Sequence, residues 1–384
     1  MDNSSPNIAF AFDIDGVLIK GTKPLPGARE TLQRLQDSKI PFVFLTNSGG
    51  HTEEARVAKL GLHLGLTFDT RQFIQSHTPY LDLVPEYRDK MILVLGGHGT
   101  QIRELAAAYG FQKVITTSDV FLECEHTHPF PEMTRAHHEE HGRFCDALGA
   151  TPVEAILVWS SPRDWCLDLQ VVADLLLSVG GLIGTRSLKN GDGSLPNHGY
   201  QRDGQPRLFF CNPDLEWATQ HAQPRLAQGA FRHALMGVWR EVTKGRAELE
   251  YTICGKPTDV TYRYAEKMLL RYNDHLTNVN GTKRKIETVF MVGDNPESDV
   301  AGANSFNSPS GLEWRSVLVE TGVYEPGTEP AHEPKHIAGD VREAVEWALS
   351  QADVNWNNMI RAKVLKINYE KDFSVLHTEL VPGG

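Results

Sequence analysis

The sequence predicts an α/β fold, a doubly wound parallel-sheet core interrupted by a second, inserted α/β domain. Three observations carry this reading. Short apolar runs alternate with stretches of helical periodicity, the pattern of a parallel sheet covered on both faces. Four of those runs end in polar clusters, which points to one site at the carboxyl ends of several strands, where open α/β sheets bind ligands. The length of 384 residues exceeds what one hydrophobic core usually organises, and 40% hydrophobic residues suffices to fill two.

The first apolar run, Ile8 to Phe12, reads as a buried strand and is followed by Asp13, Ile14, Asp15 and Gly16. Side chains alternate along an extended backbone, so Asp13 and Asp15 are expected to point the same way, and Gly16 permits a sharp exit. One carboxylate of such a pair can attack while the other handles protons, although Asp and Gly are also ordinary turn residues. The passage Gly21 to Gly27 then leads into a helix over Ala28 to Gln36. A second strand, Pro41 to Leu45, ends at Thr46, Asn47 and Ser48, and another helix starts near Thr52 with Glu53 and Glu54 at its positive end. Taken alone, Thr46 is accounted for by a helix-capping hydroxyl.

Residues 78–205 carry a βα pattern of their own and are expected to be the inserted domain, leaving 1–77 and 206–384 as a discontinuous core. Within the insertion, Met91 to Leu95 and Ala155 to Trp159 read as strands, and Gln101 to Tyr109 and Cys166 to Leu177 as helices. An insertion of this kind can shut water out of a site and carry selectivity. Gly96, Gly97, His98, Gly99 and Thr100 have the look of a dinucleotide-binding turn, but Ile102 stands where its third glycine belongs, which favours a plain βα turn. His126, His128, His137, His138 and His141 crowd one segment, and His137 with His141 has the i, i+4 spacing of a metal pair. Interleaved Arg135, Glu139, Glu140 and Arg143 favour a solvated face instead.

Ser187 to Pro206 and Asn273 to Lys285 are rich in Gly, Asn and charge and are expected as surface loops; between them Leu208 to Cys211 is expected to return the chain to the core. The run Tyr251 to Cys254 ends at Gly255, Lys256 and Pro257, and Val289 to Val292 ends at Gly293, Asp294, Asn295, Pro296, Glu297, Ser298 and Asp299. A solvated lysine before a turn would explain Lys256 alone, and helix capping would explain Asp299, Glu297 or Ser298. In the tail, Val364, Leu365, Ile367 and Tyr369 are apolar enough to pack on the core, while Pro382 to Gly384 is expected to fray.

Composition narrows the function classes. A formal charge of −11 argues against nucleic acid as main partner, since phosphate backbones reward clustered Lys and Arg. Five cysteines, Cys124, Cys145, Cys166, Cys211 and Cys254, contain no Cys-x-x-Cys pair and are expected as reduced thiols. No apolar stretch approaches the ~20 residues needed to span a bilayer. Met1 to Asn7 has no targeting pattern, so a cytoplasmic location is expected, with a mitochondrial address left open.

Together the four strand-end motifs resemble the haloacid dehalogenase superfamily, in its type IIA branch with a large cap between the second and third motifs. Cys211 to Trp217, Pro224 to Phe231 and Gly293 to Asn304 most resemble the cat eye syndrome critical region protein 5-like subgroup, over roughly residues 7–350. The resemblance implies a Rossmann-like core with a C2-type α/β cap. It also implies a Mg²⁺-dependent phosphomonoesterase that cleaves a small organic phosphate through an aspartyl phosphate. On matching positions, Asp13 would be the nucleophile and Asp15 the general acid and base. A carboxylate attacking a dianionic ester needs relief from repulsion, and the departing oxygen needs a proton. Asp294 would bind Mg²⁺ with Asp13 and the Asp15 carbonyl, and Asp299 would be an outer ligand or an orienter of Lys256. Thr46, Asn47 and Lys256 would hold the phosphoryl oxygens. Asn212, Asp214 and Arg225 are substrate candidates, with a turn cap as the alternative for Asp214 and a salt bridge for Arg225. A phosphotransferase or mutase on the same scaffold, and a binding or scaffold protein with little turnover, are the rival readings. The expected partner is a small-molecule phosphate ester, and a homo-oligomer is compatible with the sequence.

Overall fold

The computed structural model describes residues 7–217, 225–280 and 285–352. The chain divides into two units: one holds the residues up to Phe44, Leu60–Gln72 and the chain from Glu266 onward, the other Leu45–Lys59 and Phe73–Ala265.

The first unit is organised around strand Ile8–Phe12, whose five residues are all buried. A strand covered on both faces has no need of polar alternation, which is why its sequence is an unbroken apolar run. It pairs in parallel with Thr288–Gly293 on one side and Phe42–Leu45 on the other. Glu313–Val319 and then His336–Ala338 extend the sheet beyond Thr288–Gly293, again in parallel. The chain thus builds one side of Ile8–Phe12 first and the other side much later, creating a topological switch point beside the first strand. Phe12 is in register with Val292, so Asp13 and Asp294 leave adjacent strand ends. Phe10 stacks on Phe12 with ring centres 5.5 Å apart, and Phe12 meets Phe42 edge-on at 5.9 Å.

Helix Ala28–Asp37 buries Ala28, Thr31, Leu32 and Leu35, one face at helical spacing. Helix Val341–Gln351 buries Val341, Ala344, Val345, Ala348 and Leu349 and is capped by Asp340, whose Oδ1 accepts from the Glu343 N–H at 2.9 Å. Each fully buried leucine on such a face stabilises the unit by roughly 1.5–3 kcal/mol.

The second unit has its own sheet, ordered Thr252–Ile253, Arg207–Phe210, Val153–Val158, Met91–Leu95, Lys113–Ile115, with every neighbouring pair parallel. Strand alternation sorts its side chains into two cores. Leu93, Leu95, Ile156, Val158 and Phe210 join Val171 and Leu175 of helix Trp165–Leu177 and Phe231 and Leu235 of helix Gln228–Val242. Ile92, Val94, Ala155, Leu157 and Phe209 join Ile102 and Leu105 of helix Gln101–Tyr109.

Three expectations are corrected. The chain does not return to the first sheet after residue 206: Arg207–Phe210 pairs with Val153–Val158, and the second unit continues to Ala265. The reason is that both sheets accept the same short apolar parallel strand, so the run itself does not identify its partner. The loop expected over Asn273 to Lys285 is helical in its first part, within helix Asp259–Asn280, while residues 281–284 lie outside the described residues. Buried Tyr262, Ala265, Leu269 and Tyr272 form one stripe along that helix, and their packing overrides the weak helix preference of the polar residues that follow. The histidine segment is not a uniformly solvated face, because His128 and His138 are buried while Glu139 and Glu140 are exposed. Ser187 to Pro206 is a chain of turns as expected, pinned where Ser187 Oγ donates to Asp203 Oδ2 at 2.7 Å.

All five cysteines are free thiols, and burial pushes Cys211 up to about 11 and Cys254 up to about 12. Among the described residues no helix is long and apolar enough to cross a membrane. Pro224 and the tail positions Val364, Leu365, Ile367, Tyr369 and Pro382 to Gly384 lie outside the described residues.

Candidate active site

Three carboxylates converge in the first unit. Asp13, Asp294 and Asp299 are buried, and one oxygen from each lies within 4.8 Å of the others. Asp13 continues the sheet by one residue, its N–H donating to Val292 O at 2.9 Å. The chain then turns: the Leu18 N–H donates to Ile14 O at 2.9 Å and the Gly16 N–H to Ile19 O at 2.8 Å. Gly16 has φ +89°, and a Cβ there would lie 2.8 Å from Asp294 Cγ, so both backbone and space demand glycine. Asp15 is exposed, and its side chain is not one of the three.

Asp294 is fixed from a loop that sequence reasoning missed. Its Oδ2 accepts from the Val323 N–H at 2.8 Å and its carbonyl from the Tyr324 N–H at 3.2 Å, while Thr321 Oγ1 donates to Gly16 O at 2.6 Å. The signal was there: Glu320, Thr321 and Gly322 form another polar cluster directly after the short apolar run Val317 to Val319.

Asp299 lies on a π-type turn, Pro296–Val300, a form often found at functional sites. Capping falls to Asn295, whose Oδ1 accepts from the Glu297 N–H at 2.9 Å, and Asp299 Oδ2 accepts from the Asn295 N–H at 3.1 Å. A Cβ on Gly293 would overlap the Asp299 carboxyl, so glycine at the strand end lets Asp299 join the cluster. Two like charges about 4 Å apart repel by about 4 kcal/mol at the effective dielectric typical of proteins. Three buried carboxylates at this separation therefore suit a divalent cation, and an all-oxygen donor set suits Mg²⁺.

The second unit gathers other candidates around Asn47. Its Oδ1 accepts from the Lys256 N–H at 2.7 Å, and its Nδ2 donates to Lys256 O at 3.0 Å and to Asp214 Oδ1 at 3.1 Å. Asn212 Nδ2 donates to Asn47 O at 3.2 Å, and the Asp214 N–H donates to Asn212 Oδ1 at 2.8 Å. The Asn47 carboxamide, expected on the phosphoryl group, is thus committed to the Lys256 backbone and Asp214. Gln228, not singled out from the sequence as a candidate, supports this network, its Oε1 accepting from the Cys211 and Asn212 N–H groups, each at 2.9 Å. Lys256 is buried. Thr46 is buried too; its Oγ1 accepts from the Ser48 N–H at 3.1 Å, and the following helix takes its cap from Thr52, whose Oγ1 accepts from the Ala55 N–H. Arg225 lies exposed on a two-residue strand paired antiparallel with Glu216–Trp217.

Known proteins resemble this chain in sequence and in fold. The family model described as haloacid dehalogenase-like hydrolase matches residues 10–112, and a second model of hydrolases like the haloacid dehalogenases matches residues 253–344. A mitochondrial hydrolase of Saccharomyces cerevisiae is 36% identical over 91% of this chain and 97% of its own length. A cardiolipin synthase (CMP-forming)/mitochondrial hydrolase fusion protein of Schizosaccharomyces pombe is 38% identical over 90% of this chain, which spans only 53% of that protein. In structure the chain is similar to a p-nitrophenyl phosphatase from Archaeoglobus fulgidus, with a TM-score of 0.57 over 89% of this chain and 99% of that one. At 16% identity that likeness concerns the fold alone.

Proposed function

Because the chain belongs to the haloacid dehalogenase-like hydrolases and is an enzyme of their phosphatase type, we propose that it is a Mg²⁺-dependent phosphomonoesterase working through an aspartyl phosphate. The observation that supports this most directly is the buried group Asp13, Asp294 and Asp299 at the ends of adjacent central strands. Asp13 attacks phosphorus as the bond to the substrate alcohol breaks, and Asp15 gives the departing alkoxide its proton. Asp15 then takes a proton from the water that hydrolyses the acyl phosphate. Its exposure suits a group that must exchange protons with solvent. Asp13, Asp294 and Asp299 would hold Mg²⁺, together with the Asp15 carbonyl expected from the motif. Bound Mg²⁺ supplies positive charge against the repulsion between the attacking carboxylate and the phosphoryl oxygens.

Thr46 and Lys256 are assigned to the phosphoryl oxygens from their motif positions. Thr46 Oγ1 accepts one backbone hydrogen bond, which leaves its O–H to donate. Asn47 acts on this group through Lys256, whose backbone it holds from both sides, and is a positioning residue. The separate sheet of the second unit, with the helices packed on it, is assigned the role of the C2-type cap that excludes water, and the substrate class is a small organic phosphate.

The test is phosphate release from a panel of small phosphate esters by the purified full-length protein. Activity should require Mg²⁺, vanish with a chelator and return on adding Mg²⁺ back, with Ca²⁺ a poor substitute because of its larger, looser coordination. Full activity in chelator would overturn the metal-dependent reading. The names of the two yeast relatives support a mitochondrial address over the cytoplasmic one expected from the opening residues. Fractionation of cells producing the tagged protein checks this.

A further inference from the structure

Two histidines and an aspartate meet inside the second unit, and the proposed reaction uses none of them. His128 Nε2 and His138 Nε2 each lie 3.1 Å from the same oxygen, Asp164 Oδ2. The three ligand atoms are within 4.8 Å of one another. His128 and His138 are only 3% and 2% exposed. Three separate pieces of chain bring them together. His128 follows the turn Glu125–Thr127, His138 is on helix Arg135–His141, and Asp164 caps helix Trp165–Leu177.

Asp164 and His138 are also oriented from behind. Asp164 Oδ1 accepts from the Leu167 N–H at 3.1 Å, which turns Oδ2 toward the histidines. Ser118 Oγ lies 2.9 Å from His138 Nδ1, the outer-sphere partner that fixes which nitrogen of a ligating histidine faces the metal. The Phe121 ring stands against both imidazoles, with centroids at 6.1 and 5.3 Å, and walls the group with apolar surface. Thr134 Oγ1 donates to Asp164 Oδ2 at 2.6 Å and lies 3.2 Å from His128 Nε2. One carboxylate oxygen thus faces three nitrogen or oxygen atoms at hydrogen-bond distance.

An imidazole nitrogen that carries no hydrogen presents a lone pair, as a metal ligand must. In a tetrahedral zinc site with bonds of about 2.0–2.1 Å, neighbouring ligand atoms are about 3.3 Å apart. The two histidine–aspartate spacings of 3.1 Å are close to such an edge, and the third lies within 4.8 Å. We propose that His128, His138 and Asp164 form a mononuclear site for Zn²⁺, with water completing the tetrahedron. The site clamps the histidine segment to the start of helix Trp165–Leu177. Its two nitrogens and one oxygen suit Zn²⁺, whereas the all-carboxylate group Asp13, Asp294 and Asp299 suits Mg²⁺, so the two are chemically separable.

The test uses the full-length protein stripped with a chelator and kept in excess Mg²⁺. It should bind one equivalent of Zn²⁺ by calorimetry, its thermal midpoint should rise with Zn²⁺, and Co²⁺ in its place should give the intense visible absorption of a tetrahedral site. His138→Gln and Asp164→Asn should each lower the affinity about 100-fold or more and abolish the Co²⁺ band, and Ser118→Ala should lower the affinity about 10-fold. Asp294→Asn should leave the Co²⁺ band intact. Unchanged binding and absorption in folded His138→Gln would overturn the assignment. So would a wild-type protein that shows neither the tetrahedral band nor a Zn²⁺-dependent midpoint, an outcome that depends on no variant's folding.

Discussion

Asp13, Asp294 and Asp299 are interdependent, since each stands within a few ångströms of the other two. Asp13→Asn removes both nucleophile and charge, so phosphate release should fall by at least about 10³-fold with an unchanged circular dichroism spectrum. Turnover near the wild-type rate would refute the nucleophile assignment. Asp294→Asn and Asp299→Asn should both raise the Mg²⁺ concentration needed for half-maximal rate. An Asp299 variant with an unaltered Mg²⁺ dependence would reduce that residue to a support for Asn295. Asn47→Ala separates positioning from metal binding. It strips the Lys256 backbone of its donor and acceptor, a loss of about 1–3 kcal/mol if the groups stay buried. Turnover should drop while the Mg²⁺ dependence stays, and a shift in that dependence would count against the role.

At the scale of elements, the second unit depends on buried charge. Arg103 on helix Gln101–Tyr109 meets Asp119 on helix Thr117–Glu123 with two hydrogen bonds, 2.6 and 2.8 Å, and both side chains are nearly inaccessible. Asp119 also accepts from the Thr116 and Arg143 N–H groups. Arg103→Ala would leave a buried carboxylate without its cation and should cost about 3–5 kcal/mol, read as a lowered denaturation midpoint. Asp168 supplies a pH signature. Burial holds its carboxyl up at about 7, against an ordinary 3.8, although Thr117 Oγ1 donates to it at 2.8 Å. Below about pH 4 the carboxyl is protonated in both the folded and the unfolded chain; above that, the unfolded chain releases its proton first. The contribution of Asp168 to stability is therefore complete at low pH and is lost as pH rises from about 4 toward 7. Asp168→Asn should flatten the stability profile in that window. Denaturation curves at several pH values would show this, and an unchanged slope would refute it.

For the whole molecule, the two-unit division makes a prediction about truncation. Deleting residues 78–205 removes Met91–Leu95, Lys113–Ile115 and Val153–Val158 but leaves Arg207–Phe210, whose Leu208, Phe209 and Phe210 are buried. Those side chains and one strand edge would then face water, an aggregation hazard. A chain lacking 78–265 removes that strand as well and should give the higher soluble yield. Equal or better yield from the shorter deletion would show that Arg207–Phe210 does not depend on the second sheet.

Much of this was legible in the sequence because it is local. Apolar runs mark the strands, and polar residues at their ends single out Asp13, Thr46, Lys256 and Asp294 as candidates, whatever surrounds them. What required tertiary structure is what depends on which strands become neighbours. The partner of Leu208 to Phe210, the commitment of Asn47 to Lys256 and the meeting of His128 and His138 with Asp164 join residues that sequence spacing does not relate. An apolar strand meets the burial requirement of either sheet equally well, and a polar side chain's role follows from the groups that packing brings to it. Local pattern therefore determined the elements and the chemistry available at their ends, while long-range packing decided how those residues combine.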